Sequence, residues 1–199
     1  TCGSENAVAA TKSVVEQALF YRAMLAETES DSPLMTQRES ASDAARMVLE
    51  MPLDGKLIDR LAAAPIIYFA GRNTGVAEEL TLKTNEITHK KSDYLEGTYA
   101  VHGIEEVMRP EEVVVLIDPF PAEWEKFREV LAEGVGMTVI AVSAEETPFP
   151  TIRIPKLSGY DTILQLLAGW NLLVEVGVAL EINLDKAERA RKIGNVFPG

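Results

Sequence analysis

The sequence is poor in the residue types that build disulfide frameworks and metal clusters. Among its 199 residues it has one cysteine, Cys2, and two histidines, His89 and His102. A single cysteine excludes an internal disulfide framework and is typical of a reducing compartment, so we expect a cytoplasmic location. Because the histidines are few and far apart, no metal-binding cluster is visible, and we predict no metal site.

Positive charge is scarce as well. The chain has 19 lysines and arginines against 31 aspartates and glutamates, for a net charge of −12. Nucleic acids are bound by faces rich in Lys and Arg, so this balance argues against nucleic acid as a partner. A small anion is still compatible with the charge if helix N-termini, hydroxyl groups and a few placed cations hold it locally.

One stretch, residues 160–180, is apolar enough to be compared with a membrane span. It contains Asp161, Gln165, Asn171 and Glu175. Each of these side chains is costly in hydrocarbon, so we predict a buried core helix or part of an oligomer interface, and no membrane partner.

Four short apolar runs do occur, each without polar alternation: residues 66–70, 113–117, 138–142 and 151–154. Helical patterns separate them, and such strands are typical of a parallel sheet covered on both faces. We therefore predict an α/β fold, a three-layer, doubly wound, mostly parallel sheet of flavodoxin-like type, over residues 52–181. Residues 1–51 are predicted to be mostly helical, with helices near 5–27 and 40–50 and a polar loop between them. A further helix is predicted at 54–63, and residues 182–199 form a basic-leaning tail.

Ligands of doubly wound sheets bind at the carboxyl ends of the strands. This rule directs attention to the loops 71–75, 118–121 and 143–150. The first, "GRNTG", offers backbone amides and a helix N-terminus to an anion, although Gly71 and Gly75 are equally compatible with a simple turn. The loop is not GxGxxG and no Walker lysine follows it, so we predict no nucleotide cofactor.

The helix after this loop carries Glu79, Lys83 and Glu86 at i, i+4 and i+7, on one face. A solvated face with salt bridges is one interpretation. The other is a carboxylate base beside a cation, which is what proton abstraction from carbon needs. An irregular, polar segment is predicted after this helix, and it ends in His102-Gly103. His102 is either a surface residue or an acid–base group; His89 has no supporting context and we place it on the surface.

Several features together resemble the SIS (sugar isomerase) family, in particular the isomerase half of glucosamine-6-phosphate synthase and the related sugar-phosphate deaminases. "ENAVAATK" begins at Glu5, and Gly71-Arg72 follows the first strand. Glu79, Lys83 and Glu86 match the E-x-x-x-K-x-x-E helix, and His102-Gly103 comes sixteen residues after Glu86. Near the end, Asp185 precedes Lys192 by seven residues.

The resemblance implies aldose–ketose chemistry on a sugar phosphate, without a cofactor. It assigns proton transfer between C1 and C2 to Glu86, ring opening to His102 and a sugar contact to Lys192, with Lys83 as the charge partner of Glu86. The substrate contacts that it implies are Glu5, Val8, Gly71 and Arg72. In relatives the histidine often comes from the neighbouring subunit, so we expect a homodimer with the active site near its interface.

The chain also departs from the family pattern. Complete members have two SIS subdomains, and the resemblance implies that residues 1–51 are the terminal helical part of the first and residues 52–181 are the second. The usual phosphate-binding loops of the first are absent, so we expect a piece of a longer protein, a different phosphate site or an incomplete catalyst. The residues around His102 lack the usual Lys/Arg-His-Gly-Pro. Two alternatives therefore stay open: an SIS module that binds a phosphosugar for regulation, and an unrelated flavodoxin-like module.

Overall fold

A computed structural model describes Gly3, Glu5 and residues 7–28, 32–72, 74–186 and 188–189. Its strands are β1 Ile66–Gly71, β2 Lys91–Glu96, β3 Val113–Ile117, β4 Thr138–Ser143 and β5 Thr151–Arg153. Its helices are α1 Lys12–Ala26, α2 Pro33–Thr36, α3 Arg38–Leu49, α4 Gly55–Ala63, α5 Val76–Thr88, α6 Trp124–Phe127 and α7 Asp161–Ala179. A π-helix, Arg128–Val135, continues α6, and three short 3-10 turns lie at Tyr99–Val101, Ile104–Val107 and Pro121–Glu123.

The five strands form one parallel sheet in the order β2-β1-β3-β4-β5. The central strand β3 is VVVLI, and all five of its residues are buried. Such a strand has no solvent face because helices cover both sides of the sheet. The predicted three-layer α/β fold is confirmed.

Two apolar cores lie on the two sides of the sheet. The larger core includes Phe69 and Val115 of the sheet with residues of α3, α4, α5 and α7. The smaller includes Ala70 and Val114 with Phe127 of α6. Since neighbouring strand residues contribute to opposite cores, the alternation of side chains along each strand produces the three layers.

Helix α7 is the residue 160–180 stretch. By length and composition it could cross a membrane, but 67% of its most apolar window is buried inside the protein. Its Gly169 permits a close approach to α5, because a Cβ there would lie 2.4 Å from Leu80 Cδ1. This position agrees with the prediction of a core helix.

Three predicted elements differ from the structure. Helix α1 begins at Lys12 rather than near residue 5, and the polar segment 27–40 contains α2, with Pro33 at its first turn. Strand β2, "KSDYLE", lies in a segment predicted to be irregular, and it pairs with β1 from Ile66↔Lys91 to Gly71↔Glu96. Only Leu95 of β2 is buried, as an edge strand with polar side chains allows, so no apolar run marks it in the sequence.

Candidate functional site

The strand order reverses direction between β1 and β3, which is where doubly wound sheets bind ligands. At this point the backbones of the two strands almost touch. A Cβ at Gly71 would lie 2.1 Å from Ile117 O, and the residue has a φ of +109°. Both facts require glycine at this position. The next amide, Arg72 N, donates to Ile117 O at 2.9 Å.

The Arg72 side chain is held by the loop that follows β3. Its Nε lies 2.5 Å from Asp118 Oδ2, and its guanidinium carbon lies 4.5 Å from the centre of the Phe120 ring. Asp118 has a φ of +44°, which is uncommon for a non-glycine residue. Because Asp118 already pairs with Arg72, an anion that binds this guanidinium has to compete with a carboxylate.

Helix α5 begins directly after this crevice and carries the predicted Glu/Lys/Glu face. Lys83 Nζ lies 3.0 Å from Glu79 Oε1 and 2.9 Å from Glu86 Oε2. The Lys83 side chain is 3% exposed, whereas the side chains of Glu79 and Glu86 are 21% and 25% exposed. A solvated face would expose the lysine first, so burial of Lys83 contradicts that interpretation.

Two opposing effects act on the Lys83 ammonium. Burial lowers its pKa, but the interactions with Glu86 and Glu79 outweigh burial and raise the pKa above the usual lysine value. Lys83 is therefore a fixed cation at neutral pH, with one carboxylate on either side. A buried charge is tolerated only when partners compensate for its lost hydration.

His102 is exposed and follows the 3-10 turn Tyr99–Val101, whose Ala100 and Val101 belong to the smaller core, whereas α5 packs in the larger core on the other side of the sheet. Its Nε2 lies 3.1 Å from Thr98 Oγ1 and 3.3 Å from Lys126 Nζ. Within the described residues we find no contact between His102 and the Glu79–Lys83–Glu86 cluster. An exposed imidazole is accessible to a neighbouring protein chain, which is where the resemblance expects it to act.

Glu5 has a local task at the start of α1. Its Oε1 accepts from the amides of Thr11 and Lys12 at 2.7 and 2.8 Å, and its Oε2 accepts from Ser13 Oγ at 2.6 Å. Desolvation opposes ionisation, but the hydrogen bonds from Ser13, Thr11 and Lys12 dominate and lower the pKa of Glu5. The side chain thus caps a helix whose first amides lack intrahelical partners, which explains why α1 starts later than predicted.

The other predicted residues are placed as follows. Val8 is half-buried in the segment between Glu5 and α1. Lys192 lies outside the described residues. His89 caps the end of α5 with a φ of +54° and is exposed, as predicted. The structure therefore brings together Glu79, Lys83 and Glu86, and separately Gly71 and Arg72.

Sequence reasoning missed the partners of the predicted residues. Asp118 and Phe120 are 46 and 48 positions from Arg72, and Lys126 is 24 positions from His102. The "DPFP" motif after β3 is the signal that could have identified Asp118, because the ends of β1 and β3 had to meet at the switch point.

No protein-family model matches the chain, and no curated protein matches it. Solved structures do match. Tagatose-6-phosphate ketose/aldose isomerase from Escherichia coli has a TM-score of 0.72 and 20% identity, over 92% of this chain and 54% of that chain. The C-terminal domain of glucosamine-fructose-6-phosphate aminotransferase from Francisella tularensis has a TM-score of 0.67 and 18% identity, over 92% and 58%. Glucosamine-6-phosphate deaminase from Thermotoga maritima has a TM-score of 0.69 and 18% identity, over 96% of this chain and 58% of that chain.

These identities are low, so the comparisons concern the fold. At that level they confirm the resemblance that the motifs predicted, since the matched structures include an isomerase, an aminotransferase domain and a deaminase of phosphosugars. The chain spans a little over half the length of these three structures.

Proposed function

We propose that this chain carries the proton-transfer machinery of a sugar-phosphate isomerase or deaminase that acts on an amino-sugar or ketose 6-phosphate, such as glucosamine 6-phosphate or fructose 6-phosphate. The observation that supports this best is the buried Lys83 ammonium between Glu79 and Glu86. A helix gains no packing advantage from a buried lysine, and burial of the ion is costly without a task or compensation. The fold shared with phosphosugar isomerases supports the same class of substrate.

The proposed reaction begins with an open-chain sugar. The Glu86 carboxylate removes a proton from the carbon next to the carbonyl. The electron pair of that C–H bond forms a C=C bond, the π pair of the carbonyl moves to its oxygen, and this oxygen takes a proton, which gives an enediol-type or enolamine intermediate. Glu86 then returns its proton to the former carbonyl carbon while the heteroatom on the other carbon loses its proton and forms the new C=O or C=N bond, so C1 and C2 exchange oxidation level. Lys83 supplies a fixed positive charge beside the Glu86 carboxylate, which favours the negative charge that develops on the carbonyl oxygen of the sugar.

The remaining residues have supporting roles in this proposal. His102 moves the proton that opens the sugar ring, and Lys192 contacts the sugar oxygens. Gly71 and Arg72 line the crevice that binds the substrate, and Val8 contacts the substrate through its backbone. Glu5 contributes as an acceptor near the ring, since its hydrogen bonds keep it ionised.

Exposure of His102 supports a homodimer in which the histidine completes the site of the partner subunit. We place this assembly in the cytoplasm, in keeping with the single cysteine.

Arg72, already paired with Asp118, binds a phosphate only if that pair opens or if the phosphate bridges to the amides of the 71–75 loop.

The first experiment measures turnover. The 199-residue protein and the complete protein encoded by its reading frame are incubated with fructose 6-phosphate and with glucosamine 6-phosphate, and product and ammonia are followed. Glu86→Gln should abolish turnover while substrate binding persists, because the neutral amide cannot accept the proton. The matched control is Glu78→Gln on the exposed side of the same helix, which should behave as wild type. Normal turnover by Glu86→Gln would contradict the mechanism.

The second experiment tests the shared site. Glu86→Gln and His102→Asn, each inactive alone, are mixed under conditions of subunit exchange. In a two-fold dimer with shared sites, half of the molecules regain one intact site, which restores about a quarter of wild-type activity. If activity does not recover although subunit exchange is demonstrated, either Glu86 and His102 act in the site of the same subunit or His102 takes no part in catalysis.

One observation favours a second candidate, a module that binds a phosphosugar without turnover. Among the described residues of one chain, His102 contacts Thr98 and Lys126 and not Glu86, so the ring of a cyclic substrate would open slowly and limit proton transfer. This candidate predicts binding of either sugar phosphate with no product from the 199-residue or the complete protein.

A further inference from the structure

One carboxylate of the Glu79–Lys83–Glu86 cluster has no task in the proposed reaction. Glu86 moves the proton and Lys83 supplies the positive charge, whereas Glu79 is left over. Yet Glu79 Oε1 lies 3.0 Å from Lys83 Nζ, nearly as close as Glu86 Oε2 at 2.9 Å. One carboxylate balances the charge of one ammonium, so the second carboxylate needs another explanation.

The cluster carries an unbalanced negative charge. It has two carboxylates and one ammonium, a formal charge of −1, and within the described residues neither Glu79 nor Glu86 has an ion pair other than the one with Lys83. The two oxygens that face Lys83 are buried, but the glutamate side chains are partly exposed. The remaining negative charge is therefore accessible to a ligand from the outer side of the cluster.

Glu79 and Glu86 face the same small volume. Their inner oxygens both lie within 3.0 Å of one nitrogen, so a sugar carbon that Glu86 reaches is also close to Glu79. Proton transfer between C1 and C2 requires both carbons at Glu86, which brings the substituent of C2 within reach of the Glu79 carboxylate. A hydroxyl or ketone at C2 is neutral, whereas an amine there carries a proton at neutral pH. The ammonium group is the substituent that complements the unbalanced charge.

We propose that Glu79 determines substrate specificity: its carboxylate binds a protonated amine on C2, so the site selects a 2-amino sugar 6-phosphate over the matching sugar with a hydroxyl at C2. This inference rests on the position of Glu86 at C1 and C2 in the proposed function. The nitrogen on C2 stays basic, first as an amine and, after Glu86 has moved the proton to C1, as a protonated imine. Water then adds to C2, and ammonium leaves as the ketone forms. The Glu79 charge therefore favours the amino sugar before and after proton transfer.

Two open-chain ligands that differ only at C2 test this: glucitol 6-phosphate and 2-amino-2-deoxyglucitol 6-phosphate. Neither has a carbonyl or a ring, so binding is measured without turnover and without ring opening. Calorimetry on the complete protein encoded by the reading frame should give a dissociation constant at least about tenfold lower for the amino compound, the effect of one charge-assisted hydrogen bond.

Three variants assign this ratio of dissociation constants to its source. Glu79→Gln should reduce the ratio to about one, because the amide carries no charge. Glu79→Asp keeps the charge and should restore a ratio well above one. Glu78→Gln, at an exposed position of the same helix, is the matched control and should keep the wild-type ratio. Circular dichroism of each variant, together with the rescue by Glu79→Asp, separates loss of the charge from loss of the fold.

Three results would overturn the proposal: a wild-type ratio near one, a ratio that Glu79→Gln leaves unchanged, or binding of neither compound. None of these measurements depends on turnover. A complete protein that converts no sugar phosphate but keeps a ratio that depends on Glu79 would contradict the proposed function and not the assignment of Glu79. Normal turnover with a ratio near one would contradict only the assignment of Glu79.

Discussion

Helices α1 and α5 show how little composition alone says about burial. Ten of the fifteen residues of α1 are apolar, yet only Ala26 is buried. Only five of the thirteen residues of α5 are apolar, yet seven are buried, among them Lys83, Thr84 and Thr88. The less apolar helix is the better buried one.

Position in the fold explains the difference. Helix α5 connects two adjacent strands, β1 and β2, and packs between the sheet and α7, so even its polar residues lose water. Its threonines compensate by donating to the carbonyls one turn earlier, Thr84 to Leu80 and Thr88 to Thr84. Helix α1 lies outside the layers and meets the core with one side only. Burial of polar groups in α5 and exposure of apolar groups in α1 therefore follow from the position of each helix in the fold and not from its composition.

The largest change in the free energy of unfolding is expected from truncating one large apolar side chain on each of the two helices. Leu80, fully buried, and Phe20, 61% exposed, are both large apolar residues. Leu80→Ala should lower the free energy of unfolding by about 2–5 kcal/mol, through lost burial and a cavity. Phe20→Ala should change it by no more than about 0.5 kcal/mol in the 199-residue protein. Urea denaturation followed by circular dichroism measures both; a large cost at Phe20 would show that α1 is covered after all.

The next effect concerns the buried ion cluster. Lys83→Met leaves Glu79 and Glu86 facing each other without their cation, and we expect a loss of about 3 kcal/mol, the lower end for broken buried pairs because both carboxylates keep some water. Lys56→Met, at an exposed position of α4, is the control and should be nearly neutral. Adding Glu79→Gln and Glu86→Gln to Lys83→Met should recover part of the loss. An unaffected Lys83→Met protein would mean that the cluster is solvated in solution.

The smallest effect is a pH dependence. The pKa of Lys83 is raised on folding, so its contribution to stability is complete below the pKa of an unfolded lysine and is lost as pH rises through the folded value. Burial, with help from Glu112, also raises the pKa of Tyr68 to about 12, which weakens the fold in the same alkaline direction. The difference in unfolding free energy between wild type and Lys83→Met should therefore shrink only above about pH 10. A difference that shrinks between pH 6 and 8 would contradict the assignment to Lys83.

Some of this could be predicted from the sequence because the signals are local. The runs VVVLI and IIYFA can bury both faces only in a covered parallel sheet, and the i, i+4, i+7 spacing places Glu79, Lys83 and Glu86 together on any helix. Strand β2 could not be predicted, since "KSDYLE" has one buried residue and becomes a strand only because the edge of β1 is available. The sequence places Asp118 in a loop at the same edge of the sheet as Arg72, but the pairing of the two side chains, 46 positions apart, depends on how the loops fold.

The sequence by itself determined the parallel α/β architecture, the positions of four of its five strands along the chain and the alignment of three charged residues on α5, because periodicity and short spacings act through neighbouring residues. Only the tertiary structure decided that Lys83 is buried while Phe20 and Leu25 are exposed, and that Arg72 meets Asp118. These depend on which surfaces the folded layers cover, and coverage is a property of packing between distant segments rather than of any one of them.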